Sequence, residues 1–111
     1  MSRAPDDLEA FRAAFWVGMR RAAADPKAPS RFCALATVAE DGGAEARTVV
    51  LRAADPAAAA VEAFTDARTP KLREIAAEPR VTLLYWDPRA RLQGRVRGRA
   101  RAETGPAAAA R

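Results

Sequence analysis

Apolar residues recur along this chain with two periods, and the switch between them outlines a fold. Between Asp6 and Ala24, Leu8, Phe11, Phe15 and Met19 stand three or four residues apart, one stripe of an α-helix. Asp6, Asp7 and Glu9 lie in its first turn and Arg20 and Arg21 near its end, complementing the helix dipole. Asp25-Pro26 then stops it, because the residue before proline avoids the helical region. Phe11, Phe15 and Trp16 are read as core-covering side chains.

The pattern then becomes strand-like. Phe32 to Val38 and Ala46 to Arg52 flank Glu40-Asp41-Gly42-Gly43, whose paired glycines supply the positive φ of a hairpin turn. A third strand, Val61 to Thr65, follows the Asp55-Pro56 turn and the run Ala57 to Ala60, read as loop. Thr69 to Glu78 predicts a second helix, with Thr69 as cap, Pro70 at its first position and Leu72, Ile75 and Ala76 as its stripe. Pro79 ends it. Arg80 to Trp86 is a mostly apolar strand, Asp87-Pro88-Arg89-Ala90 a turn, and Leu92 to Glu103 a final strand. Its odd positions carry Gln93, Arg95, Arg97, Arg99 and Arg101, and its even ones Leu92, Gly94, Val96, Gly98 and Ala100.

Helix, three strands, helix and two strands predict a mainly β fold with flanking helices, its antiparallel sheet forming a barrel or half-barrel. The 111 residues suit a single domain, 1–111. Five strands do not comfortably close a barrel, and Thr104-Gly105-Pro106 with Ala107 to Arg111 reads as a helix that starts and stops. The expectation is an incomplete domain whose C-terminal part is missing.

Composition narrows the chemistry. Alanine supplies 30 of the 111 residues, so large apolar side chains are few. The sequence has no His, which excludes Ser–His and Cys–His nucleophilic pairs and His-based zinc sites within these residues. No metal site is expected, and an enzyme built this way would take its chemistry from an organic cofactor. Cys33, the single cysteine, fits a reducing cytoplasm. No stretch approaches the roughly 18 apolar residues of a membrane span, and the N-terminus does not read as a secretory signal. The net charge is +5, with Arg outnumbering Lys 17 to 2. Arginine excess beside alanine excess is what a coding bias produces, so charge is a weak pointer to polyanions.

The most informative segment is FTDARTPKLREIA, Phe64 to Ala76. A strand delivers Thr65 into a short loop, and the helix beginning at Thr69-Pro70 points unpaired backbone N–H groups at that loop. Arg68 and Lys71 crowd the same end, where the dipole disfavours cations unless an anion resides there. Arg47 to Arg52, RTVVLR, adds a second cationic element. Strand alternation puts Arg47, Val49 and Leu51 on one face and Thr48, Val50 and Arg52 on the other. Either a bulge intervenes or the two arginines serve different groups.

RTVVLR, FTDARTPK, EPRVTLLYW and LQGRVRGRA, in this order and spacing, resemble the pyridoxamine 5′-phosphate oxidase family. The resemblance covers about Arg31 to Glu103 and implies the FMN-binding split barrel. It implies that Arg47, Thr48, Val49, Val50, Leu51 and Arg52 lie along FMN. Arg47 would then meet the flavin phosphate, and Arg52 would stand where the oxidases carry a substrate-phosphate Lys. Phe64 and Thr65 match an aromatic-Thr pair beside the cofactor, with Phe64 lacking the usual hydroxyl. Thr69 and Lys71 match the phosphate loop, where Pro70 replaces the usual Arg. Gln93 matches a Gln that hydrogen-bonds near the flavin ring.

The resemblance further implies a homodimer with FMN at its interface and a small-molecule substrate. Later substrate ligands and flavin contacts of the oxidases fall beyond Arg111, so an FMN-dependent oxidoreductase of unassigned substrate is the function it supports. The alternative is a non-catalytic split-barrel module holding FMN, haem or another anionic ligand. Nucleic-acid binding by Arg89 to Arg101 is disfavoured, because no aromatic stacking residues interleave those arginines.

Overall fold

Strands form where the two-residue period predicts them, and their register assigns every side chain to one of two faces. A computed structural model describes residues 8–64 and 71–102, with Lys71 and Leu72 as backbone alone. Helix α1 spans Leu8–Ala24, and a single 3-10 turn, Pro29–Arg31, leads into the sheet. The strands are β1 (Phe32–Val38), β2 (Ala44–Asp55), β3 (Ala60–Phe64), β4 (Arg80–Asp87) and β5 (Leu92–Arg99), with α2 (Lys71–Ala77) between β3 and β4. All the strand pairs are antiparallel, in the order β3-β2-β1-β4-β5. This five-stranded sheet with flanking helices is the half-barrel of a split-barrel fold.

The expected turns are present. Gly42 takes φ +87, and its N–H donates to the Ala39 carbonyl at 2.9 Å. Asp55 and Asp87 close the other two hairpins alike. Each Oδ1 accepts backbone N–H groups two and three residues on, from Ala57 and Ala58 at 3.0 and 3.3 Å and from Arg89 and Ala90 at 2.9 and 3.3 Å. Ala59 and Arg91 then take left-handed backbone conformations.

Several boundaries differ from the sequence expectation. Strand β2 runs past both ends of Ala46 to Arg52, because β1 pairs with it from Ala44 and β3 pairs with it as far as Asp55. Strand β5 stops at Arg99 rather than Glu103. Its partner β4 begins at Arg80 after Pro79, whose nitrogen carries no hydrogen, and the last cross-link is Ala100 N–H to the Pro79 carbonyl at 2.8 Å. Helix α2 ends at Ala77, with a final backbone bond from Glu78 N–H to the Glu74 carbonyl. The predicted helix start at Asp6, the cap Thr69-Pro70, the strand end Thr65 and the terminal segment from Thr104 lie outside the described residues.

One face of the sheet carries Cys33, Leu35, Thr37, Arg47, Val49, Leu51, Leu83, Tyr85 and Leu92, and α1 covers it with Phe15, Met19 and Ala22. Tyr85, Met19, Leu51 and Val49 are its largest fully buried side chains. The Phe15 ring meets Tyr85 edge-on, with centroids 5.4 Å apart. Among the described residues no helix is long and apolar enough to cross a membrane.

The opposite face is open. Phe64, Val50 and Phe32 are paired in a row across β3, β2 and β1. Continuing the β1–β4 register sets Trp86 level with Phe32, and Trp86 pairs with Gln93. Phe32, Phe64 and Trp86 are 54%, 53% and 46% exposed, so about half of each remains open on this face among the described residues.

Helix α1 approaches β5 closely only because Gly94 lacks a side chain. A Cβ there would meet three Phe15 ring atoms at 2.5–2.9 Å, whereas a Cβ on Gly98 would meet nothing within 4 Å. Gly94→Ala should therefore cost about 1–3 kcal/mol in denaturant unfolding, as overpacked cores do, and Gly98→Ala should be close to neutral.

Candidate functional site

Glu74, on the first turn of α2, faces the sheet and is 7% exposed. Its Oε1 accepts hydrogen bonds from Thr37 Oγ1 at 2.8 Å and from Arg47 Nη2 at 3.1 Å. The strand register explains the meeting. Leu35 pairs with Arg47 and Thr37 with Glu45, so Thr37 and Arg47 project from neighbouring strands towards the helix-covered side. Glu45 Oε2 lies 3.9 Å from the same Arg47 nitrogen. The other terminal nitrogen, Arg47 Nη1, is buried without a hydrogen-bond partner among the described residues. An exposed contact of Arg73 with Glu40, at 3.8 Å, ties α2 to the hairpin turn.

Arg47 also stands on a rim. Strand β3 pairs with β2 only from Val50 to Asp55, so the Arg47–Val49 stretch has no strand beside it on that side among the described residues. Arg47 leans to the helix side of this rim, and Thr48 is exposed on the open side. Between Leu51 and Ala53 the β2–β3 register shifts, so the bulge foreseen as one alternative is present at Arg52. It leaves Arg52 on the open face, its guanidinium carbon 4.8 Å from the centroid of the Phe64 ring. The two arginines therefore address different surroundings.

Of the residues expected at the site, the structure brings Thr48, Val50, Arg52, Phe64 and Gln93 to the open face. Val49 and Leu51 are only 2% and 1% exposed beneath α1, so the structure buries both expected cofactor contacts in the core. Lys71 opens α2, while Thr65, Arg68 and Thr69 lie outside the described residues. Cys33 is buried, and its desolvation pushes the thiol up to about 11, so it is not an activated nucleophile.

Sequence reasoning missed Glu74 and Thr37. Both carried a signal: Thr37 continues the core-facing alternation of Cys33 and Leu35, and Glu74 abuts Ile75 at the edge of the apolar stripe of α2. A polar side chain in either place needs a partner.

Donation by the Thr37 hydroxyl, joined by the Arg47 guanidinium, holds the Glu74 carboxyl below its ordinary value of 4.5 against the opposing pull of burial. A depressed carboxylate stabilises the fold above its unfolded-state pKa, and that contribution disappears as pH falls through the folded value. Glu74→Gln should therefore flatten the loss of stability on acidification below about pH 4.5 relative to the wild type. Denaturant midpoints compared from neutral pH downward measure the difference.

Comparison with known proteins gives this geometry a family. The sequence model of the pyridoxamine 5′-phosphate oxidase FMN-binding domain matches residues 9–104. A pyridoxine/pyridoxamine 5′-phosphate oxidase of Anaeromyxobacter dehalogenans (strain 2CP-C) is 36% identical over 97 residues, covering 87% of this chain and 46% of that protein. The chain thus spans about half the length of the curated relative it matches. With the expected half-barrel in place and the family match covering most of its length, the chain belongs to the FMN-binding domain family of the pyridoxamine 5′-phosphate oxidases.

Proposed function

We propose that this domain holds FMN as the redox cofactor of a flavin-dependent oxidoreductase acting on a small phosphorylated substrate. The observation that carries the reading is the Arg47 guanidinium on the rim of β2: Nη2 is fixed by Glu74, and Nη1 is buried without a hydrogen-bond partner among the described residues. A phosphate oxygen suits that donor, since a buried charged nitrogen gains most from an anionic acceptor. The residues present therefore fit the group that the family binds.

Arg47, with Lys71 and Thr69, takes the flavin phosphate in this reading. The rim lets one ligand reach both faces, since no described strand covers β2 from Arg47 to Val49. Thr48, Val50, Phe64, Thr65 and Gln93 are assigned to the rest of the cofactor. Val49 and Leu51, buried in the core, are assigned to holding the strand in register beneath the cofactor. Bound FMN supplies two-electron chemistry that the side chains of this chain lack.

Arg52, held over Phe64 on the open face, is assigned to the substrate's phosphate. Gripping a remote phosphate lets binding energy orient the reacting carbon. The half-exposed Phe32, Phe64 and Trp86 support a homodimer in which a second copy covers the open face. The single buried thiol supports a cytoplasmic setting.

Flavin fluorescence titration tests the assignment. Arg47→Ala and Lys71→Ala should each weaken FMN binding by about 1.5–3 kcal/mol, the range of a charge-assisted contact. Arg52→Ala should spare FMN and impair a phosphorylated substrate. Unchanged FMN affinity in both of the first two variants would remove the cradle. FMN binding without reduction by a nicotinamide donor or amine-dependent oxygen uptake would point to a holding module.

A further inference from the structure

We propose that Glu74, braced by Thr37, is the positioning residue for phosphate recognition: it fixes the Arg47 guanidinium so that Nη1 is the nitrogen presented to the phosphate. The inference rests on the reading of Arg47 as a phosphate ligand and adds a residue that neither the family match nor the motifs single out.

The geometry is that of a pinned fork. A guanidinium is rigid and planar, so holding one terminal nitrogen largely fixes where the other points. Glu74 Oε1 holds Nη2 at 3.1 Å, and the same oxygen is held by Thr37 Oγ1 at 2.8 Å. Helix α2 and strands β1 and β2 thus converge on one atom. Thr37 is 4% exposed and Glu74 7%, so neither gives its bond readily to water. Nη1 is left buried without a partner among the described residues, a state that costs free energy until an acceptor arrives.

A carboxylate beside an anion-binding arginine can also act in the opposite sense, by cancelling its charge. The groups facing Glu74 bear on that choice. They are Thr37 from β1, Arg47 from β2 with Glu45 beside it, and Arg73 on α2, which contacts Glu40. Positioning and cancellation predict opposite signs. Removing a positioning residue weakens the preference for a phosphorylated ligand, whereas removing a cancelling charge strengthens it.

The test compares FMN with riboflavin, which lacks the phosphate, in flavin fluorescence titrations of the full chain. The ratio of the riboflavin to the FMN dissociation constant isolates the phosphate contribution. Glu74→Ala should lower that ratio by about tenfold or more, the equivalent of one charge-assisted bond, and leave the riboflavin constant unchanged. Glu74→Gln keeps an oxygen acceptor and should restore the ratio to within a few-fold of wild type. Thr37→Val, of similar volume, should lower it in the direction of the alanine variant.

A ratio at or above the wild-type value in folded Glu74→Ala overturns the proposal, and so does an equal loss of both ligands. Should Glu74→Ala fail to fold by circular dichroism, Thr37→Val decides: an unchanged ratio there overturns it. A wild-type chain without preference for FMN, or an Arg47→Ala chain that keeps the full preference, overturns the cofactor reading and this inference with it. Loss in Arg47→Ala without loss in Glu74→Ala overturns this inference alone.

Discussion

A pleated strand offers each residue one of two faces, and α1 covers only one face of this sheet. That constraint decides almost everything else. Val49 and Leu51 are sealed beneath the helix, and they lock the register of β2, since a slip of one residue would drive Thr48, Val50 and Arg52 into the core. With the register fixed, Arg47 is obliged to share the covered side and Thr48 the open one. The bulge at Arg52 then places that arginine against Phe64 instead of a neighbouring backbone position. A single strand thereby serves two cationic positions without bringing them into mutual repulsion.

Placing Arg47 on the covered side creates a problem that α2 solves. A guanidinium taken out of water is destabilising unless it is paired and hydrogen-bonded. Glu74 supplies the counter-charge, and Thr37 supplies a hydroxyl that keeps the carboxylate in its charged form. Among the described residues the pairing leaves Arg47 Nη1 without a partner. A network that satisfied the whole guanidinium would be more stable and could offer nothing to a ligand. On the proposed reading of Arg47 as a phosphate ligand, leaving one donor unused would let a folding contact and a recognition contact share one side chain.

Much of this was legible in the sequence, and the reasons are local. The period of α1, the Asp41-Gly42-Gly43 turn and the two Asp-Pro turns all depend on neighbouring residues, so reading along the chain finds them. The opposed faces of Arg47 and Arg52 followed from alternation alone. Glu74 was not found, because its partners stand 27 and 37 residues away and meet it only after the sheet has formed. The end of β5 was misjudged for a similar reason: its alternation continues to Arg101, but pairing stops where β4 begins beyond Pro79. Pattern predicts which residues prefer to be strand, and a partner decides how many of them are.

The cationic strand β5 shows how local chemistry can account for a charge pattern without a polyanionic ligand. Arg95, Arg97 and Arg99 are exposed on the strand at one end of the sheet, bonded only to β4 among the described residues. Such a strand displays unpaired backbone groups, and a line of charged side chains discourages another chain from adding to it. The arrangement has a cost where Arg99 pairs directly with Arg80, since like charges opposite one another repel. Glu78 offsets it, its Oε1 accepting from Arg80 Nη2 at 2.6 Å and from Nε at 3.0 Å, and that arginine in turn depresses the Glu78 carboxyl. The sheet is thus charged along the β5 edge, while Phe32, Phe64 and Trp86 remain half exposed across β1, β3 and β4. Charge at β5 is already explained by edge protection and a neighbouring carboxylate. The aromatic row draws on cations of its own, Arg31 standing over the Phe32 ring at 5.7 Å and Arg52 over the Phe64 ring at 4.8 Å, so the same residue type protects an edge on β5 and caps aromatic faces on the open side.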